Sequence, residues 1–147
     1  MSLHATDIIR IARGFCPGAN INLYERSYSV VSLDYIANEF AKFHFIKRTA
    51  YKLNAFDCNR LAMEAALMLA KTHAHNSDAL TGPAFGWMIY TPDQPVTGVQ
   101  YDPTGHCINW FIAGKEGQES VHFFEPQRSY IVHPTNNEIN STTDLFM

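Results

Sequence analysis

Charge is scarce in this sequence, and basic charge is the scarcer. Only 17% of the 147 residues are Asp, Glu, Lys or Arg, and 11 basic side chains face 14 acidic ones, a net charge of −3 with His neutral. A chain whose main role is to hold nucleic acid needs a basic excess to neutralise phosphates, so that class is excluded. No apolar run approaches the roughly 20 residues that a membrane-spanning helix needs, so no membrane role is expected. The opening MSLHATDIIRIARGF lacks the charged-then-apolar pattern of a secretory signal. The expected location is therefore the cytoplasm, or delivery without a classical signal peptide. Cysteines number three (Cys16, Cys58 and Cys107), an odd count at wide spacing. That fits neither a disulfide framework nor a zinc site, and it suits a reducing compartment. No repeat, low-complexity tract or linker interrupts the chain, which predicts a single domain over 1–147 with its core over about 20–133.

What is present is apolar and aromatic. Hydrophobic residues make up 46%, with ten Phe, seven Tyr and two Trp. At this length roughly two thirds of the unfolded surface can be buried, which excludes wholesale disorder. Ile8, Ile9, Ile11 and Ala12 outline a short amphipathic helix that stops at Cys16-Pro17-Gly18. Apolar residues at spacings near three and four predict a second helix over Leu33 to Lys47. The clearest helix covers Cys58 to Thr72, rich in Ala, Leu and Met, with Asp57 placed as its N-cap. Apolar residues lie on nearly all its faces, which places it centrally. Its expected end is a polar loop from His73 to Asp78.

The second half reads as strands. Phe85 to Tyr90, Cys107 to Ala113, Ser120 to Glu125 and Ser129 to His133 form a meander, with Gly114 to Gly117 as one turn. Tyr28 to Val31 is a shorter strand. Residues 134–147 are Asn- and Thr-rich and are expected to be a mobile tail. Helices first and strands afterwards predict an α+β fold, with a central Cys-bearing helix against an antiparallel sheet.

Three side chains stand out on this layout. Cys58 falls in the first turn of the strong helix, where unsatisfied N–H groups and the positive end of the helix dipole favour thiolate. His106 follows 48 residues later, after Gly105, at the start of an apolar strand. Glu125 follows after another 19 residues, at the end of the neighbouring strand. In an antiparallel pair the first residue of one strand lies beside the last of the next. The result is a row of nucleophile, base and orienter of the base.

The pieces D-C-N-R-L-A, G-H-C-I-N-W-F and F-F-E-P-Q resemble those of compact papain-like cysteine peptidases. These carry a Cys on a central helix, a Gly-His-x-x-Asn strand and an Asp/Glu-Pro-Gln strand end. The likeness covers roughly residues 54 to 133. It extends to the calcium-dependent peptidase half of the Marasmius oreades agglutinin, a chimeric lectin, and to papain-fold domains of bacterial toxins. The resemblance implies Cys58 as nucleophile, His106 as general base and Glu125 as its orienter. Asn54 is implied as an oxyanion donor beside the Cys58 N–H, with Asn109, Trp110 and Gln127 in support. It implies a peptide, isopeptide or glutamine amide as substrate, on a protein or peptide. Calcium enters by resemblance only; its ligands do not map onto this chain, so no metal residues are assigned. The sequence departs from larger papains, whose C-G-S/A-C-W signature is absent and whose His lies more than a hundred residues from the Cys. No trefoil-like repeat is present, so galactose binding is not carried over.

Plainer readings stand beside these. Cys58 as a buried hydrophobe would leave a catalytically inactive papain-like domain serving as a binding or homodimerisation module. Cys107 points to the opposite strand face from His106 and reads as structural, as does Cys16. Asn109 reads as a partner for buried backbone groups, Trp110 as a wall of site or core, and Gln127 as a residue of a tight turn. His73 and His75 form an H-x-H without further ligands in sight. Asp93 and Asp102, each beside Pro, read as turn formers.

Overall fold

The computed structural model describes residues 1–42, 57–76, 80–96 and 98–147. The elements run β1 (Ser2–His4), α1 (Ala5–Phe15), β2 (Asn20–Asn22), β3 (Ser27–Ser29), α2 (Leu33–Lys42), α3 (Cys58–Asn76), β4 (Gly82–Pro83), β5 (Phe85–Tyr90), β6 (His106–Ala113), β7 (Ser120–Glu125), β8 (Tyr130–Val132), α4 (Asn136–Asn140) and β9 (Asp144–Phe146). The fold is α+β. The main sheet has the order β2-β9-β5-β6-β7-β8, and a smaller one has the order β1-β3-β4. The β5-β6-β7-β8 meander is antiparallel throughout.

The pleat of β6 divides the core in two. Ile108, Trp110 and Ile112 join Ile8 and Ala12 of α1 on one face. Phe111 and Ala113 join Phe40 of α2 and Leu61, Ala65 and Leu69 of α3 on the other. Every residue of β6 is buried, which is why this strand reads as a continuous apolar run. Asp57 caps α3 as its position predicts: its Oδ1 accepts from the Arg60 N–H at 3.2 Å.

Two expectations need correction. Residues 134–147 are not a loose tail. Thr135 and Glu138 form a reciprocal capping box that starts α4. β9 then inserts between β2 and β5, parallel to the first and antiparallel to the second. Leu145 is fully buried there, and burial of that side chain outweighs the polar residues around it. Second, α3 continues through Asn76, so His73 and His75 lie on a helix rather than in a loop. Residues two apart on a helix point in different directions, so the pair does not share a ligand. The expected helix beyond Lys42, Asn54 and the loop residue Asp78 lie outside the described residues.

Candidate active site

The three side chains singled out by spacing converge at one end of the sheet. Asp102 folds the chain into β6: its Oδ1 accepts from the Thr104 N–H at 2.8 Å, and its carbonyl accepts from Gly105 at 3.0 Å. His106 is the first residue of β6 and Glu125 the last of β7. Their side chains meet as adjacent strand ends predict, with His106 Nε2 and Glu125 Oε2 2.7 Å apart. Both residues are buried, at 1% and 0% exposure. The second carboxylate oxygen of Glu125 accepts from the main-chain N–H of Gln127 at 2.9 Å. Both of its oxygens are therefore held.

The other imidazole nitrogen, Nδ1, is buried and has no hydrogen-bond partner among the described residues. The Cys58 thiol nevertheless interacts with the ring. Burial works against a charged imidazole, yet Cys58 and Glu125 together outweigh it and push the His106 pKa from 6.5 up to about 9. Tyr101 and Tyr90 flank the ring, with centroids 5.0 and 5.7 Å away. Near neutrality the ring is an imidazolium held between a carboxylate and a thiol.

Cys58 opens α3 at 7% exposure and packs with Ala62 and Cys107. Burial pushes the Cys107 thiol well above its ordinary value, and the Cys16 thiol up as well. The bed beneath α3 is set by Asn109. Its Nδ2 donates to the carbonyls of Ala62 at 2.8 Å and Gly86 at 2.9 Å, tying helix to sheet. Asn109 thus satisfies buried backbone groups, as the sequence suggests. Trp110 belongs to the core on the α1 side, and its indole N–H donates to the Phe146 carbonyl at 3.0 Å. The Gln127 side chain turns outward and pairs with the backbone of Gln100 through two hydrogen bonds.

Sequence reasoning missed Gln100 and Tyr101, because loop residues that arrive by tertiary folding leave no periodic trace, and Tyr90, whose place beside His106 is set by the pairing of β5 with β6. A cavity of about 630 Å³ runs along α3, lined by Tyr24, Met63, Leu67, Phe85 and Trp87 among others. Cys58, His106 and Glu125 are not among its lining residues. Trp87, one of its lining residues, also packs on the Cys58 cluster. Among the described residues no three His, Cys, Asp or Glu side chains gather as a metal site, and no helix is long and apolar enough to cross a membrane.

No known protein family matches the chain, and no curated protein matches it in sequence. Solved structures do share its fold. One is a PSL1a–E64 complex, with TM-score 0.74 and 19% identity, covering 99% of this chain and 51% of that one. Another is the Polyporus squamosus lectin bound to the human-type influenza-binding epitope Neu5Acα2-6Galβ1-4GlcNAc, with TM-score 0.75 and 20% identity, covering 99% and 49%. The chain thus spans about half the length of lectin chains whose fold it shares.

Proposed function

We propose that the chain is a papain-like cysteine hydrolase that breaks a peptide, isopeptide or glutamine amide bond. The observation that carries this reading is the buried 2.7 Å contact between His106 and Glu125, on a ring that also interacts with the Cys58 thiol. In this reading the Cys58 thiolate attacks the carbonyl carbon and the N-terminal amides of α3 stabilise the oxyanion. His106 gives its proton to the departing amine, leaving a thioester on Cys58. The now neutral ring takes a proton from water, which opens the thioester and restores the thiolate. Glu125 holds the ring's orientation throughout and is not consumed.

Thiol chemistry tests the reading without a known substrate. PSL1a has been captured with E64, and that thiol-alkylating epoxide is the first probe to use here. E64 and low iodoacetamide at neutral pH are expected to modify Cys58 ahead of Cys16 and Cys107, read by mass spectrometry of proteolytic peptides. His106→Ala removes the positive partner and slows the reaction, while the helix N-terminus remains. Modification of Cys107 first, or a Cys58 rate indifferent to His106→Ala, overturns the reading.

A second reading is favoured by the comparisons: a binding module without catalysis. Its support is that a fold-sharing chain is a lectin bound to a sialylated trisaccharide. Titration calorimetry with that trisaccharide decides it. Saturable binding by a chain whose Cys58 is inert replaces the hydrolase reading.

A further inference from the structure

Cys107 is more than core filling. It follows His106 directly, and it lies with Cys58 and Ala62 in one small buried cluster, against which Trp87 and Ile89 pack. The register of α3 on β6 explains the meeting. Asn109 reaches the Ala62 carbonyl at 2.8 Å. From that contact Cys58 lies one turn back along α3, about 6 Å at 1.5 Å per residue. Cys107 lies two residues back along β6, about 6.6 Å on the same face. The two steps match in length, and both thiols fall in the same buried cluster. Ala62 adds only a methyl group between the backbones, and a side-chain amide bridges directly to a helix carbonyl. A covalent bridge needs Cα atoms about 4.4–6.8 Å apart, and what points to one here is the shared buried cluster of the two thiols.

We propose that Cys58 and Cys107 form a reversible disulfide when the protein meets a peroxide. Cys58 is the entry point, because it is the thiol that retains some exposure, 7% against 0% for Cys107. In the first step the Cys58 thiolate attacks one peroxide oxygen. The O–O bond breaks, the sulfur is oxidised by two electrons to a sulfenic acid, and the second oxygen leaves as hydroxide or alkoxide. In the second step the Cys107 sulfur attacks the Cys58 sulfur. The S–S bond forms, the S–O bond breaks, and the departing hydroxide takes the Cys107 proton as water. Burial keeps Cys107 protonated until then, so it does not compete in the first step. A dithiol reverses the bond and frees the Cys58 thiolate. The disulfide caps the same sulfur that the proposed hydrolase uses, and it shields that sulfur from sulfinic and sulfonic acids.

The inference rests on the hydrolase reading only for the role of Cys58 as nucleophile; the bridge itself rests on packing. The test treats the full chain with a few equivalents of hydrogen peroxide at neutral pH, blocks remaining thiols under denaturing conditions, and digests without reduction. The expected result is loss of two of the three free thiols, a linked peptide pair carrying Cys58 and Cys107, and full recovery with dithiothreitol. Cys107→Ala is expected to form no link, and its Cys58 runs on to a sulfinic acid that dithiothreitol does not restore. Oxidation of Cys58 alone in the wild-type chain with Cys107 still free, or a link through Cys16, overturns the proposal. The two readings fail separately. A chain without hydrolase activity that still forms the link leaves this inference standing, and an active hydrolase that oxidises only at Cys58 removes it.

Discussion

Glu125 binds the imidazole of His106 with one oxygen and the Gln127 N–H with the other. Two donors are thereby matched to two acceptors inside a buried site. Glu125→Gln offers one acceptor and one amide donor, so either His106 or Gln127 loses its partner. In the hydrolase reading the ring is then poorly oriented, and turnover is expected to fall strongly, by analogy with about 10⁴-fold for the Asp-to-Asn change in serine triads. E64 labelling rates at Cys58 give the same comparison before a substrate is known. The pair also leaves a signature in stability. The folded pKa of His106, about 9, lies above the ordinary 6.5. The contribution is therefore complete below pH 6.5 and is lost as pH rises through about 9. Urea midpoints are expected to fall over that window in the wild-type chain, and Glu125→Gln is expected to flatten the fall. An equal decline in both chains rules the pair out as its source.

Among the elements, those that carry the site were the most legible. Helix formers behind Asp57 mark α3, and largely apolar runs mark β5 and β6, because local propensity and burial act together there. His106 and Glu125 meet across the β6–β7 pair as diagonal neighbours on one face, two positions out of direct register. Short strands escaped notice because three residues carry no period: β1, β2 and β9 are each strands only through a distant partner. The Thr135-x-x-Glu138 capping box was present in the sequence as a helix start, and the surrounding Asn and Thr residues masked it. Gly86 marks the dependence of β5 on its neighbour. A Cβ there would collide with the Phe146 carbonyl oxygen, a backbone atom that cannot swing aside. Gly86→Ala is therefore expected to push β9 out of register and to cost about 1–3 kcal/mol or more in chemical denaturation. A stability within about 0.5 kcal/mol of wild type shows that β9 yields freely and is not fixed by this contact.

At the scale of the whole molecule, β9 joins the two ends of the chain: Ile21 pairs with Leu145, and Met147 accepts at its carbonyl from Tyr24 and from the Tyr28 hydroxyl. Cutting the chain after Pro134 removes α4, β9 and the buried Leu145 and Met147. The shortened chain is expected to lose cooperative urea unfolding, measured by circular dichroism. A shortened chain that unfolds as sharply as the full one returns these residues to the role of an appendage. Pairing across 124 positions also orders events in time. Contacts so distant in sequence are slow to form, because a long loop must close before they are rewarded. During synthesis, β5, β6 and β7 emerge well before the strand that belongs beside β5, and translation proceeds at only about 5–20 residues per second. For seconds the nascent chain carries His106 and Glu125 on a sheet that lacks one of its inner strands. The sheet beneath the site is thus completed only once residues 144–146 have been made and have found β5.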